Sequence, residues 1–408
     1  MKICGIIAEY NPFHTGHAHH MAETRRVLGE NTAILAVMSG NYVQRGDAAI
    51  FEKYSRARAA VRCGADLVLE MPLSAALSSA AGFAWGGIEL LEKLQCVSFL
   101  SFGSECGDIE SLSETAALLQ GEAIAAPLKE ALRSGLSYAA AQQKALESIS
   151  PSHAALLASP NNTLAIEYLC ALRTLHSKIK PITIRRSGAA HDARQLEADK
   201  HPSASAIRQL IFSDDAETAL SYLPAASAEE LRTALGEHTA PVSLASCNLA
   251  LLAHLRRFTV EDISSYTSGD TGLANRLFHA IRTQTNWEAI CKQAQTRYYP
   301  LARIRRILLR MYLSLNDQYP PTAHYGRVLA IGARGREILR AIEPSGFPLI
   351  VKPTTERRLD ADLHPLLRLD ELSDELYALM QPNAATAVAG TRFRQTPYIL
   401  PLDFSTRE

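Results

Sequence analysis

The sequence predicts an α/β fold, with a Rossmann-like, doubly wound parallel sheet over residues 1–212 followed by a mainly helical region over residues 213–408. Three observations carry this. Short apolar runs alternate with helical stretches through the first half of the chain, the pattern of parallel strands joined by crossover helices. The first run hands over to a histidine-rich turn where doubly wound sheets hold their ligands. Past Ile211 the strand-like runs thin out and long helical segments dominate.

Taken in order, Lys2–Ala8 reads as a short buried strand, Asn11-Pro12 as the turn that ends it, and Gly16 onward as a helix. Further strands are expected at Thr32–Met38, Asp66–Glu70, Val97–Phe102 and Pro181–Ile184. Tyr54–Cys63, rich in Ala and Arg, closes on Gly64 as a helix with its stop. Ser111–Gln120 and Leu128–Ser148 read as helices, the second broken at Gly135; Leu164–Leu172 is another, with Asn162 or Thr163 as a plain N-cap. The second half offers Ser227–Leu235, opened by a Ser227/Glu230 capping box, then Leu244–Arg257, Leu273–Thr283 and Leu301–Leu315. The tail mixes a helix at Gly335–Ile342, a strand at Leu349–Lys352 and a helix at Glu371–Met380.

At 408 residues the chain exceeds what one core usually organises. A formal charge of zero excludes a globally basic nucleic-acid binder and leaves local patches to decide. Seven cysteines without a Cys-x-x-Cys pair fit buried thiols in a reducing compartment better than a disulfide framework or a zinc site. No apolar run approaches a membrane span and the chain opens directly on a core strand, so a cytoplasmic protein with no membrane partner is expected.

The chemistry concentrates in Ile7-Ala8-Glu9-Tyr10-Asn11-Pro12-Phe13-His14-Thr15-Gly16-His17. A helix start offers unpaired amides and the positive end of its dipole to a phosphate, and His14 and His17 add donors as charge develops on a leaving pyrophosphate. The bland alternative is two surface histidines in a polar turn. Gly103, after the fourth strand, is either an ordinary strand-to-loop glycine or a place where backbone meets a base. Arg185-Arg186, off the fifth strand, is either a solvated basic pair or a triphosphate clamp. Ser203, Ser205 and Arg208 stand at an expected helix start, as a cap and surface residues or as a phosphate clamp. Four such contacts at the strand ends of one sheet are unlikely to be independent accidents. Separately, helical spacing buries Ile304, Ile307, Leu308 and Met311 and puts Arg303, Arg306 and Arg310 on another face, beside Tyr298 and Tyr299. That face is either a solvated basic one or a surface for an RNA backbone with a stacked base.

These residues together resemble the tRNA(Met) cytidine acetate ligases, a branch of the H-x-G-H nucleotidyltransferase superfamily. The resemblance rests on Glu9-Tyr10-Asn11-Pro12-Phe13-His14 with Gly16-His17, on Met38-Ser39-Gly40-Asn41-Tyr42-Val43-Gln44-Arg45-Gly46, on Phe102-Gly103-Ser104-Glu105, on Ser159-Pro160-Asn161-Asn162 and on Ser203-Ala204-Ser205-Ala206-Ile207-Arg208. It implies a sheet of the nucleotidyltransferase type and an enzyme that activates acetate with ATP and Mg²⁺ to acetyl-adenylate. The acetyl group then passes to the wobble cytidine N4 of elongator tRNA(Met), with DNA not a partner. It further implies catalytic roles for His14 and His17, an ATP site spanning Ile7 to His20 (thus Ala18 and His19 too) with Gly103, Asn162, Arg185 and Arg186, and a tRNA surface at Tyr298, Arg303, Arg306 and Arg310. The stretch Ser39–Gly46 is conceivable as a conformational loop over the site, and no metal ligand is assigned. Two rivals stand beside this: a small-molecule adenylyltransferase, which would not need half the chain as a helical appendage, and a non-catalytic RNA-binding protein, against which the paired histidines argue.

Overall fold

The computed structural model describes residues 1–186, 203–213 and 215–401. Its strands are β1 (Ile3–Ala8), β2 (Ala33–Ser39), β3 (Tyr42–Val43), β4 (Asp47–Ala48), β5 (Leu67–Met71), β6 (Phe99–Ser104), β7 (Lys180–Arg185), β8 (Gly326–Ile331), β9 (Leu349–Ile350) and β10 (Tyr398–Ile399). One sheet runs β10-β8-β5-β2-β1-β6-β7, with β9 also paired to β8, while β3 and β4 form a separate hairpin. The pairs are parallel except for β5 with β8 and the hairpin itself. The five strands expected in the first half all form, within two residues of the expected bounds. Seven helices frame the site: α1 (Thr15–Leu28), α2 (Lys53–Arg62), α3 (Ala80–Lys93), α4 (Pro160–Thr174), α5 (Ala204–Phe212), α6 (Leu301–Tyr312) and α7 (His364–Ala378).

Alternation along β1 sorts its side chains to two faces. Cys4 and Ile6 pack with α1 and α2, whereas Gly5 and Ile7 face α3. Contact with α3 is close: a Cβ on Gly87 would come 2.6 Å from Ile7 Cδ1. The glycines that allow this approach also weaken the helical signal of α3, which the sequence reading did not assign.

Two expectations about element starts are corrected. Ser227 does not cap its helix, which begins at Ala225; its hydroxyl donates to Phe13 O, and Glu230 pairs with Arg58 and Arg62. Likewise α4 starts at Pro160 behind Ser159, so Asn162 lies within its first turn. Proline at that position needs no N–H partner, which is why the helix can begin there. The break at Gly135 is present, with φ +80°.

β8 is buried at all six positions, and such a short apolar run carries no periodicity to identify it. Through β8, β9 and β10 the chain beyond residue 325 re-enters the sheet begun by the first 185 residues, so the sheet draws on both sides of the expected division at 212/213. Asp66 clamps this junction, accepting from Arg25, from Ile34 N and from Arg334 N. A second core forms among the helices between, and there α6 buries Ile304, Ile307, Leu308 and Met311 as its spacing demands.

The stretch conceived as a conformational loop forms the β3–β4 hairpin, and it is bonded to α7 and its flanks. Tyr42 donates to Ser373 O, Tyr377 donates to Ala49 O, and Asn41 donates to Asp374. Gly46, at φ +76°, lies so near α6 that a Cβ would meet Arg306 N at 2.5 Å. Beneath it the buried Lys53 ammonium lies 2.9 Å from Glu70 and 2.7 Å from Asp374, tying α2 and β5 to α7. Lys53→Met takes the ammonium from two buried carboxylates, leaving Glu70 with Arg327 at 3.4 Å and Asp374 with the Asn41 amide, and we expect it to cost about 3 kcal/mol of unfolding free energy. Urea denaturation measures this; a loss below about 1 kcal/mol, the worth of an exposed pair, would show the cluster to be solvated.

Candidate active site

The chain leaves β1 through Tyr10, which takes a left-handed backbone at φ +47°. Such a conformation costs a non-glycine residue of order 1–3 kcal/mol and persists where the surroundings fix it. Here the buried Arg56 guanidinium does so, donating to Glu9 O at 2.6 Å, to Ser39 O at 3.1 Å, and to Gly40 O and Phe51 O. Asn11 adds a bond from Ile50 N to its Oδ1 at 2.9 Å. Sequence reasoning missed Arg56, since an arginine in an Ala-rich amphipathic helix reads as its solvent face.

His14 then caps α1. Its Nδ1 accepts from Gly16 N at 3.0 Å, while His17 Nδ1 accepts from His14 N at 3.2 Å. With Nδ1 an acceptor in both rings, the bonds assign the proton of each neutral imidazole to Nε2. The rings lie 3.9 Å apart, centroid to centroid. This corrects the expected cradle of unpaired amides. Thr15 N donates to Tyr222 O, Gly16 N to the His14 ring, and His17 N to His14 O. The imidazoles intercept the helix amides and present donors of their own.

These residues open on a cavity of about 420 Å³. Among the described residues its wall contains Ile7, Ala8, Glu9, Tyr10, Asn11, His14, His17, His20, Gly103, Arg186, Ser203 and Arg208 from the expected set. Gln44, Arg45, Asn161 and Tyr168 join them, and these were not singled out individually from the sequence. Arg208 is aimed by two bonds, to Asn11 O at 2.8 Å and Ser205 Oγ at 3.1 Å, so Ser205 serves the site by holding the arginine. Ser203 caps α5 through Ala206 N.

Other expected contacts lie outside the wall. Pro12 and Phe13 face a smaller cavity beside α2, Thr15, Gly16 and Ala18 build the first turn of α1, and His19 is exposed. Asn162 is buried, and its Oδ1 accepts from Glu105 N and Cys106 N. Glu105 returns the bond through Asn161 N and Asn162 N. The negative carboxylate thereby satisfies the start of α4, and Asn162 locks the loop after Gly103. Arg185 lies over Gly107, where a Cβ would meet its own Cβ at 2.6 Å, and only Arg186 turns inward. Strand alternation separates the two arginines, which a sequence pair conceals.

At α6 the structure divides the basic set. Arg303 sits 5.4 Å from the Tyr299 ring centroid and 3.6 Å from Asp270, and Tyr298 is exposed beside them. Arg306 donates to Gln44 O at 3.2 Å, and burial together with Arg303 and Arg310 lowers its guanidinium to about 10. Arg310 caps the helix end, donating to Leu315 O and Asn316 O and pairing with Asp317.

Burial, with Arg186 adding to it, lowers the His20 imidazole to about 4, and burial plus the neighbouring His14 charge depresses His17 well below 6.5. Both rings are therefore neutral near neutral pH, and His20 Nε2 is engaged with Ser101 Oγ at 2.9 Å. Unfolded histidines gain protons below about 6.5 and folded His20 only near 4, so the unfolded state binds more protons between those values. Stability must fall as pH drops through that window. We expect the urea midpoint to decline less steeply there in His20→Gln than in the parent; equal slopes would refute the burial of a neutral ring.

Among the described residues no helix is long and apolar enough to cross a membrane, and no three His, Cys, Asp or Glu side chains gather to hold a metal ion. A family model described as HIGH Nucleotidyl Transferase matches residues 1–391. The chain is similar to the tRNA(Met) cytidine acetate ligase of Alkaliphilus metalliredigens, at 36% identity over 98% of this chain and 99% of that one. It is similar to the like-named protein of Acetivibrio thermocellus at 33% identity, over 98% and 100%. Among solved structures, apo Thermotoga maritima TmcAL superposes with a TM-score of 0.93 at 29% identity, covering 98% of this chain and 100% of that one. TmcAL from the same organism bound with alpha-thio ATP gives 0.90 at 29% identity, over 98% and 99%.

Proposed function

Since the chain belongs to the HIGH nucleotidyltransferase family, with tRNA(Met) cytidine acetate ligases as its relatives, we propose that it activates acetate with ATP and acetylates the wobble cytidine of elongator tRNA(Met). The observation that carries this is the pair of imidazoles, each with Nδ1 bound to backbone N–H, at a cavity that also holds Arg45, Arg186 and Arg208. Such a site suits a triphosphate. An acetate oxygen attacks the α-phosphorus, the bond to the β-phosphate oxygen breaks, and pyrophosphate leaves with the electron pair. His14 and His17, donating from Nε2, stabilise the charge that grows on the phosphate oxygens, and being fixed in advance they need no reorganisation. The arginines hold the remaining negative charge by charge-assisted bonds.

Mg²⁺ enters with the nucleotide. The described residues offer no cluster of acids to cage it, and Mg²⁺ commonly relies on substrate phosphates with few protein ligands. Residues 1–212 supply the nucleotide site, and the helical part of 213–408 supplies the tRNA surface, its basic α6 touching the wall of the cavity through Gln44. Seven free cysteines suit a cytoplasmic setting.

Incubation of the pure protein with ATP, labelled acetate and tRNA(Met) should place label on a cytidine in nucleoside digests. A folded protein that binds ATP yet labels no nucleoside, or that adenylylates a metabolite instead, refutes the proposal. On the tRNA surface, Arg303 faces the RNA backbone, while Arg306 is held by Gln44 O and Arg310 supports the helix end. Arg303→Ala should therefore reduce the slope of log affinity against log salt by about 0.7–0.9, one phosphate contact's share. Arg310→Ala should instead lower the urea midpoint; the reverse assignment of these two effects would overturn the division.

A further inference from the structure

Glu9 is the one carboxylate among the described residues lining the cavity, whose other charged or ionisable groups include three arginines and three histidines. A carboxylate there opposes the binding of ATP and of acetate alike, since both are anions. Arg208 and Arg56 lie near enough to offset part of its charge, and its remaining hydrogen-bonding capacity suits a substrate N–H donor.

The side chain is held, not loose. Glu9 Oε1 accepts from Gln44 N at 2.8 Å, and the residue's own carbonyl accepts from Arg56 at 2.6 Å. Its second carboxylate oxygen has no hydrogen-bond partner among the described residues. Ile7 packs on α3, and Glu9, two residues further, leaves β1 toward that same face. There the wall is apolar, from Ala80, Phe83 and the Tyr168 ring, and the buried Tyr168 hydroxyl, near enough to feel the Glu9 charge, lacks a partner. A planar base fits such a wall, and a carboxylate is the side chain that accepts from the exocyclic amine of cytosine.

We propose that Glu9 accepts the proton of the cytidine N4 amine during acetyl transfer, an inference that rests on the acetyl-transfer reading of this site. The nitrogen lone pair is delocalised into the ring, so N4 becomes a competent nucleophile only as its proton leaves. As the N4–C bond to the acetyl carbon forms, the bond from that carbon to the adenylate oxygen breaks, AMP departs with the electron pair, and the N4 proton passes to the open oxygen of Glu9. Gln44 couples this base to the tRNA surface, its N–H holding Glu9 and its carbonyl accepting from Arg306 on α6.

The test is Glu9→Gln, which keeps an oxygen for the Gln44 N–H but cannot take a proton. Two reactions are followed in the parent and the variant: acetate-dependent exchange of pyrophosphate into ATP, and transfer to saturating tRNA from synthetic acetyl-adenylate. Transfer should fall by about 10²–10⁴-fold, a general base's share, and at least tenfold more than exchange does. Equal losses in the two reactions would make Glu9 part of the nucleotide or metal site, and a parental rate of transfer would remove it from the chemistry; either overturns the proposal. A parent protein inactive in both reactions would instead refute the acetyl-transfer reading itself. Glu9→Asp, which keeps a carboxylate at shorter reach, should recover part of the transfer rate, and no recovery in a folded variant counts against proton transfer.

Discussion

The reciprocal bond between His14 and His17 at the start of α1 sets the constraint on which the site depends. Each ring spends Nδ1 on a backbone N–H, so the tautomer, the ring orientation and the helix start are fixed by one pair of bonds. An ordinary N-cap would use Ser, Thr, Asp or Asn, which accept equally well but leave nothing to offer a ligand. Imidazole has a second nitrogen. That bifunctionality explains why a poor statistical cap occupies this position, with the Gly16 N–H bound by the His14 ring between the two histidines. The geometry is then supported from below by Arg56, which binds the carbonyls at the ends of β1 and β2 and so fixes both lips of the crevice relative to each other.

The β3–β4 hairpin turns a nucleotide-binding sheet and a helical region into one mechanical object. Its base is anchored by Asn41, whose amide donates to Asp374 while its oxygen accepts from Lys53 N. Its tip presses Gly46 on α6 and sets Gln44 and Arg45 into the cavity wall. The Lys53 cluster beneath is buried, so a displacement of α7 would unpair charges in a low-dielectric setting and is correspondingly costly. Rigid hairpins suit this task because a site held to sub-ångström tolerance loses rate quickly when a wall drifts.

Much of the sheet and the core of the site were legible because each rests on local rules. A buried parallel strand writes a run of Val, Ile, Leu and Ala, and a ligand crevice writes polar residues at the carboxyl end of such runs; β1, β2 and His14-x-Gly16-His17 obey both. What stayed hidden depends on distant partners. β8 has the same composition as a buried helix fragment, and only its neighbours β5 and β10 decide its identity. Arg185 and Arg186 look equivalent until the strand sends them to opposite faces, and Arg303, Arg306 and Arg310 look alike until Asp270, Gln44 and the end of α6 claim one each. Asn162 was legible as a residue at a helix start, but its bond to the Glu105 loop was not, because that bond spans 57 residues.

The cavity's electrostatics follow from that arrangement. Burial disfavours charge on Arg186 and Arg208, lowering both guanidinium groups, and the same burial keeps His17 and His20 neutral. A guanidinium shifted this way remains charged near neutral pH, because its ordinary value is so high, whereas an imidazole does not. One desolvated environment therefore sorts its bases into two kinds: permanent cations, suited to a polyanion, and neutral imidazoles. Neutral donors are the better choice at the reacting centre. An imidazolium there would bind the ground-state phosphate strongly and gain less as charge shifts to the leaving group, whereas donors whose bonds strengthen with that shift lower the barrier selectively. Conversely, a polyanion beside these rings raises their proton affinity, so a histidine that is neutral in the empty site is more readily protonated when a polyanion is bound.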